Sequence, residues 1–171
     1  MAGLVTKRFA NFITFLNIIF GSTAILYTIS GNYKIAAILI LAAVVMDGLD
    51  GRVARKLQTS SDLGRELDSL CDIVSFGVAP AVLLYSQVLA SNYYFMGLAA
   101  FLLYIICGAY RLARFNVMNI SEYFLGLPIT IAGGLLAILS LLAVYLHPLV
   151  ILLLVMALSL FMISAIRLPK L

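Results

Sequence analysis

Six of the chain's seven acidic residues lie between Met46 and Pro80, in the stretch MDGLDGRVARKLQTSSDLGRELDSLCDIVSFGVAP, and long apolar segments flank it on both sides. Acids beside membrane-type segments mark a site by default. If the residues before Lys56 are helical, Asp47, Asp50, Gly51, Ala54 and Arg55 fall at i, i+3, i+4, i+7 and i+8, which is one face of one helix. A second helix carries Gly64, Asp68 and Asp72 at i, i+4 and i+8, with roughly 6 Å of rise between successive members. Each helix thus presents a pair of carboxylates to the space between them. Carboxylates converging in a low-dielectric place repel one another and call for positive charge. Hard oxygen ligands in this number suit Mg²⁺, Mn²⁺ or Ca²⁺, and two metals sharing bridging carboxylates use all of them. Two metals about 3.5–4 Å apart are a recurring solution for displacement at phosphorus. Gly51 and Gly64 leave room for a phosphate or sugar to approach the backbone.

The elements that position these residues follow from composition. With 171 residues, 64% apolar and only 11% charged, and a mean hydropathy of +1.16, the chain lies outside the range of soluble domains. The fold class expected is all-α, a polytopic membrane protein of six transmembrane helices preceded by a short N-terminal amphipathic helix. Residues 1–171 read as a single domain, since no Pro/Ser-rich linker, low-complexity tract or repeat divides them. Lys7 and Arg8 precede an apolar run long enough to span, with no small-residue cleavage site, so a retained first helix is expected. Cys71 and Cys107 fall within expected spans and read as small packing residues. His147, the one histidine, precedes Pro148 in a turn and reads as a bystander.

In chain order, the amphipathic start covers Leu4 to Ala10, and the spans run from about Phe9 to Ser30, from Lys34 into the polar Asp47–Lys56 region, from Asp62 to Leu89, from Tyr93 to Asn116, from Leu127 to Leu146 and from Pro148 to Ile166. An inside N-terminus puts Lys7, Arg8, Arg52, Arg55, Lys56, Arg65, Arg111, Arg114, Arg167 and Lys170 in the cytoplasm and leaves Lys34 alone outside. By the positive-inside rule, both termini and the acidic site of this cell-membrane protein face the cytoplasm. The net charge of +4 reflects this placement, and no basic surface domain is present to hold nucleic acid.

The pattern D-x2-D-G-x2-A-R-x8-G-x3-D-x3-D is met in full by Asp47, Asp50, Gly51, Ala54, Arg55, Gly64, Asp68 and Asp72. It resembles the signature of the CDP-alcohol phosphatidyltransferases, integral membrane enzymes that make phospholipids. The resemblance implies two divalent cations, Mg²⁺ or Mn²⁺, one held by Asp47, Asp50 and Asp68 and the other by Asp47, Asp68 and Asp72. It implies attack by an alcohol on the β-phosphorus of a CDP-lipid with release of CMP, and Asp72 as general base. It implies nucleotide contacts from Asn11, Thr14, Gly51 and Ser61. Arg55, more than a turn past the first carboxylate pair, can grip a phosphate, or serve only as a cytoplasmic anchor. Asn11, Thr14 and Asn17 keep to one side of their helix at i, i+3 and i+6, a pattern that polar contacts between helices produce equally well.

For the acceptor alcohol, Arg111 and Arg114 in GAYRLARFN are three apart near the end of the fourth span and suit a carboxylate or phosphate, unless they are topology anchors. GAYRLARFN and YFLGLPIT further resemble the phosphatidylserine synthase branch of the family, which implies L-serine as acceptor, with glycerol 3-phosphate or inositol phosphate as the alternatives. Any C-terminal extension of that branch is expected to be missing or removed. Gly126 and Pro128 predict an irregular helix start beside the acceptor pocket. A homodimer is expected from the family, with Gly108, Gly133 and Gly134 as close-packing points. Two other classes compete. A divalent-cation transporter would use the aspartates as an ion path, but the acids cluster at one end of two spans. A non-catalytic scaffold would leave their geometry unused.

Overall fold

The turn after the first helix shows how this chain reverses direction. Helix α1 (Ala2–Ile29) ends where Gly31 adopts φ of 76°. Its N–H reaches the Thr28 carbonyl at 3.0 Å, and the Asn32 N–H reaches Tyr27 at 2.9 Å. This is a Schellman cap, which satisfies two carbonyls left over at the helix end. Helix α2 (Tyr33–Leu57) then runs back along α1. In this computed structural model the backbone is described for residues 2–57, 62–118, 123–165 and 167–169, and side chains for 14–49, 63–117 and 126–165.

The expected separate amphipathic helix over Leu4 to Ala10 is instead continuous with the first span in α1. No proline or turn pair separates them, so the helix has no reason to stop.

Helix α3 begins as Asp62–Asp72 and is continuous with the apolar segment Leu63–Asn92 of 30 residues. It widens into π-helical turns at Ile73–Val78 and Tyr85–Leu89. Pro80 lies between the two and has no N–H for the carbonyl of Phe76, four residues earlier. The buried Tyr104 hydroxyl donates to that oxygen at 3.0 Å. A side chain from a neighbouring helix thereby satisfies a carbonyl that proline cannot reach.

Helix α4 (Tyr94–Met118) is followed by a strand, Tyr123–Leu125, then α5 (Ile129–Leu142) and α6 (Pro148–Ile163). His147 caps α6, its Nδ1 accepting from the Leu149 N–H at 3.2 Å, with Pro148 at the first helical position. The strand pairs antiparallel with Arg167–Pro169, Tyr123 opposite Pro169 and Leu125 opposite Arg167. Apart from this three-residue pairing the elements of the described residues are helical, in line with the all-α expectation. The last helix stops at Ile163, short of the expected Ile166, which frees the following residues to pair as a strand. Gly126 (φ 72°) sits against the Ser164 carbonyl oxygen, 3.0 Å from where a Cβ would stand, and the Leu127 N–H donates to Phe161 at 3.1 Å. The irregular start of α5 is thus pinned to the end of α6.

Alanines share the interior with large side chains such as Phe76, Tyr104 and Leu136, and many other large apolar side chains face outward. Ala24, Ala36, Ala37, Ala43, Ala79, Ala132 and Ala137 are fully buried, whereas Ile19, Ile29, Ile38, Val45, Ile106 and Leu160 are exposed. Burying a Leu or Ile side chain stabilises a protein in water by about 1.5–3 kcal/mol, so this arrangement suits a lipid solvent, in which close backbone packing drives helix association. Leu63–Asn92 and the 24-residue Tyr94–Val117 are long and apolar enough to cross a bilayer, while Thr14–Ile29, Ile129–Tyr145 and Pro148–Ile163 are shorter apolar helices. Cys71 and Cys107 are both buried, as expected.

The glycines expected at a contact between copies are used within the chain. A Cβ on Gly108 would meet Ile129 Cδ1 at 2.7 Å, and one on Gly133 the Phe76 backbone at 2.8–2.9 Å; at Gly134 the nearest atom is Val44 Cγ2 at 3.4 Å. Gly133→Ala should therefore destabilise the protein by about 1–3 kcal/mol through overpacking, read as a lowered thermal midpoint in detergent. Gly134→Ala should leave that midpoint close to wild type, and equal effects would contradict this packing.

Candidate functional site

Asp47 stands near the polar end of α2, and Asp68 and Asp72 stand one turn apart on the first segment of α3. One carboxylate oxygen from each lies within 4.8 Å of the others; Asp47 and Asp68 are half-buried and Asp72 is buried. The two faces expected to converge do so for these three residues. Asp50 lies one turn beyond Asp47 in α2, and its side chain, like those of Asn11, Gly51, Arg55 and Ser61, is outside the described residues. Gly64 is half-buried on the stripe of Asp68 and Asp72.

Like charges at this spacing repel by roughly 3 kcal/mol per pair at an effective dielectric of about 20. The cluster fits a divalent cation by the chemistry of its donors. Mg²⁺–oxygen distances of 2.0–2.1 Å place oxygens on opposite sides of one ion about 4.2 Å apart, close to the limit of 4.8 Å found here. Asp47, Asp68 and Asp72 are the residues that would hold it.

Two further groups face Asp72. Asn17, on α1 and only 1% exposed, donates from Nδ2 to Asp72 Oδ1 at 3.2 Å. Its backbone carbonyl accepts from Ser75 Oγ at 3.0 Å. Gly21 makes this possible, since a Cβ there would lie 2.6 Å from the Ser75 Cα. Helices α1 and α3 are thus locked together one turn from the carboxylates. Thr14, one turn before Asn17, is also buried.

The second group is Arg111, on α4. It is 7% exposed, its charge acts on Asp72 and Asp47, and its guanidinium carbon lies 5.9 Å from the centre of the Phe115 ring. A buried cation beside buried carboxylates recovers part of the desolvation cost of both. Arg114 takes another direction. It donates to the carbonyls of Ile163 at 3.1 Å and Ser164 at 3.4 Å, where the end of α6 leaves acceptors open. The two arginines expected to project together therefore divide, Arg111 toward the aspartates and Arg114 toward the last helix. Asn116, further along α4, donates to Ser69 at 3.1 Å and Glu66 at 3.3 Å.

Asn17 was visible in the sequence only as the third member of a polar stripe. Ser75 and Tyr104 carried no signal of their own. Pro80 was the one hint that the Phe76 carbonyl needs a donor from elsewhere.

The family model for CDP-alcohol phosphatidyltransferase matches residues 7–165. Over 129 residues the chain is 46% identical to the CDP-diacylglycerol–serine O-phosphatidyltransferase of Methanocaldococcus jannaschii, covering 75% of this chain and 58% of that one. It is 44% identical over 130 residues to the protein of that name from Helicobacter pylori strain J99, covering 74% and 54%. For the one from Bacillus subtilis the values are 44% over 129 residues, covering 75% and 72%. The chain spans a little over half the length of the first two of these curated relatives. Asp47, Asp68 and Asp72 meet between α2 and α3, and the family model covers nearly the whole chain, so this protein belongs to the CDP-alcohol phosphatidyltransferase family.

Proposed function

We propose that this chain transfers a phosphatidyl-type group from a CDP-lipid, CDP-diacylglycerol or CDP-archaeol, to the hydroxyl of L-serine, releasing CMP. The observation that carries this reading is the meeting of Asp47, Asp68 and Asp72 within 4.8 Å, with the buried Arg111 charge acting on two of them. The printed names of the relatives, all serine O-phosphatidyltransferases, support it.

In the reaction, the serine oxygen forms a bond to the β-phosphorus and the bond from that phosphorus to CMP breaks. Asp72 takes the hydroxyl proton. Two divalent cations, Mg²⁺ or Mn²⁺, held by Asp47, Asp50, Asp68 and Asp72, would supply neutralisation of the diphosphate and stabilise charge on the departing CMP. Asn11, Thr14, Gly51, Arg55, Ser61 and Gly64 bind the CDP-lipid. Arg111 receives the serine carboxylate, with the Arg114 charge behind it. Asn17 keeps Asp72 oriented through its hydrogen bond, and the burial of Asp72 limits its contact with bulk water.

The reading extends to the membrane. All six helices cross it, with both termini and the aspartates on the cytoplasmic side, supported by ten basic residues there against Lys34 outside. The functional form is a homodimer on the family resemblance alone.

Labelled serine should enter the lipid fraction only when CDP-lipid and Mg²⁺ or Mn²⁺ are both present. Incorporation of glycerol 3-phosphate or inositol phosphate in its place would reassign the acceptor. Asp72→Asn should lower turnover by about 10²–10⁴-fold, the usual contribution of a positioned general base, and near-normal turnover would remove Asp72 from that role. Asp68→Asn should weaken Mn²⁺ binding at least tenfold, as followed by electron paramagnetic resonance, and unchanged binding would remove Asp68 from the metal site.

A further inference from the structure

Among the described residues, two buried side-chain polar atoms have no hydrogen-bond partner, Asn17 Oδ1 and Arg111 Nε. Both belong to groups that face Asp72. One is an acceptor and the other a donor. Buried polar atoms are nearly always satisfied, and an exception calls for an explanation such as a missing ligand.

The orientation of the Asn17 amide follows from its neighbour. An ionised carboxylate only accepts, so the amide must turn Nδ2 toward Asp72 Oδ1, at 3.2 Å, and the opposite orientation would set oxygen against oxygen. Oδ1 then points away from Asp72, and among the described residues nothing donates to it. The residue cannot swing out, because it is 1% exposed and its backbone carbonyl is tied to Ser75 Oγ. A fixed acceptor and a buried guanidinium around one catalytic carboxylate match the charged groups of a zwitterionic amino acid, whose ammonium donates and whose carboxylate accepts.

We propose that Asn17 is the ammonium contact of the acceptor site, its Oδ1 receiving the amino group of serine while Arg111 holds the carboxylate. The inference rests on the reading of serine as the acceptor. It adds a basis for choosing an amino acid over other alcohols: glycerol 3-phosphate and inositol phosphate offer an anion to Arg111 but no cation to Asn17. A site built around a substrate N–H rejects analogues that lack it, because its own polar atom is then left unpaired.

The test compares Asn17→Ala with wild type in detergent–lipid micelles, using serine and 3-hydroxypropanoate, which is serine without its amino group. Because hydrogen bonds to charged groups are the stronger ones, the variant should raise the serine KM by about 10–100-fold. Its kcat should fall alike for both acceptors, because Asp72 loses its orienting hydrogen bond, while its KM for CDP-lipid, its KM for 3-hydroxypropanoate and its metal requirement should stay within about threefold of wild type. Asn17→Ser stays polar but is one bond too short to reach either Asp72 or the ammonium, so it should show the same split and guards against a folding defect in the alanine variant. An equal fall in kcat for both acceptors with an unchanged serine KM would overturn the proposal and leave Asn17 as a positioning residue for Asp72. A raised CDP-lipid KM or metal requirement would overturn it in favour of a nucleotide or metal contact. Wild-type protein that ignores serine but uses glycerol 3-phosphate would instead remove the serine reading on which it rests.

Discussion

Holding three carboxylates within 4.8 Å of one another, next to apolar helices, is the constraint that the rest of this structure answers. Their repulsion favours pulling α2 and α3 apart. Packing at other points of the same helices holds them in place: alanines fully buried along α1, α2 and α3, and a Gly21–Ser75 contact too close for any side chain. Small residues let backbones approach, and backbone approach keeps the acids together. Arg111 adds positive charge within the fold, and the oxygen donors suit divalent cations that would add more.

Helix α3 carries two demands that conflict. Its first turns must hold polar groups in a fixed direction, and its later turns must lie in an apolar setting around Pro80. The π-helical widening at Ile73–Val78 directly follows Asp72, so the polar and apolar stripes are phased independently. Such bulges recur at functional sites. The Tyr104 hydroxyl on the Phe76 carbonyl and the Ser75 hydroxyl on the Asn17 carbonyl tie the widened turn to α4 on one side and α1 on the other. The geometry of Asp72 therefore depends on three helices.

Much of this was legible in the residues. The carboxylate faces followed from helical spacing, because Asp47 on one helix and Asp68 with Asp72 on the next leave little freedom once the helices pack. The Gly31 turn and the positions of five of the six helices followed from local chemistry. What escaped were features set by tertiary packing. No local signal distinguishes Arg111, which turns inward, from Arg114, which ends on the carbonyls of Ile163 and Ser164. Asn17 looked like one of several polar residues until its neighbours were known, and the strand pairing of Tyr123–Leu125 with Arg167–Pro169 joins segments too short to announce themselves. Two of the three glycines suited to a contact between copies, Gly108 and Gly133, proved to be needed inside one.

The central claim is that these aspartates share bound cations, and anomalous diffraction from crystals grown with Mn²⁺ and a CDP-lipid tests it most directly. The account predicts anomalous peaks between α2 and α3, within about 2.0–2.6 Å of oxygens from Asp47, Asp68 and Asp72, the range for hard cations, and beside the diphosphate. Peaks elsewhere, or aspartates turned apart with the nucleotide bound at another face, would contradict it.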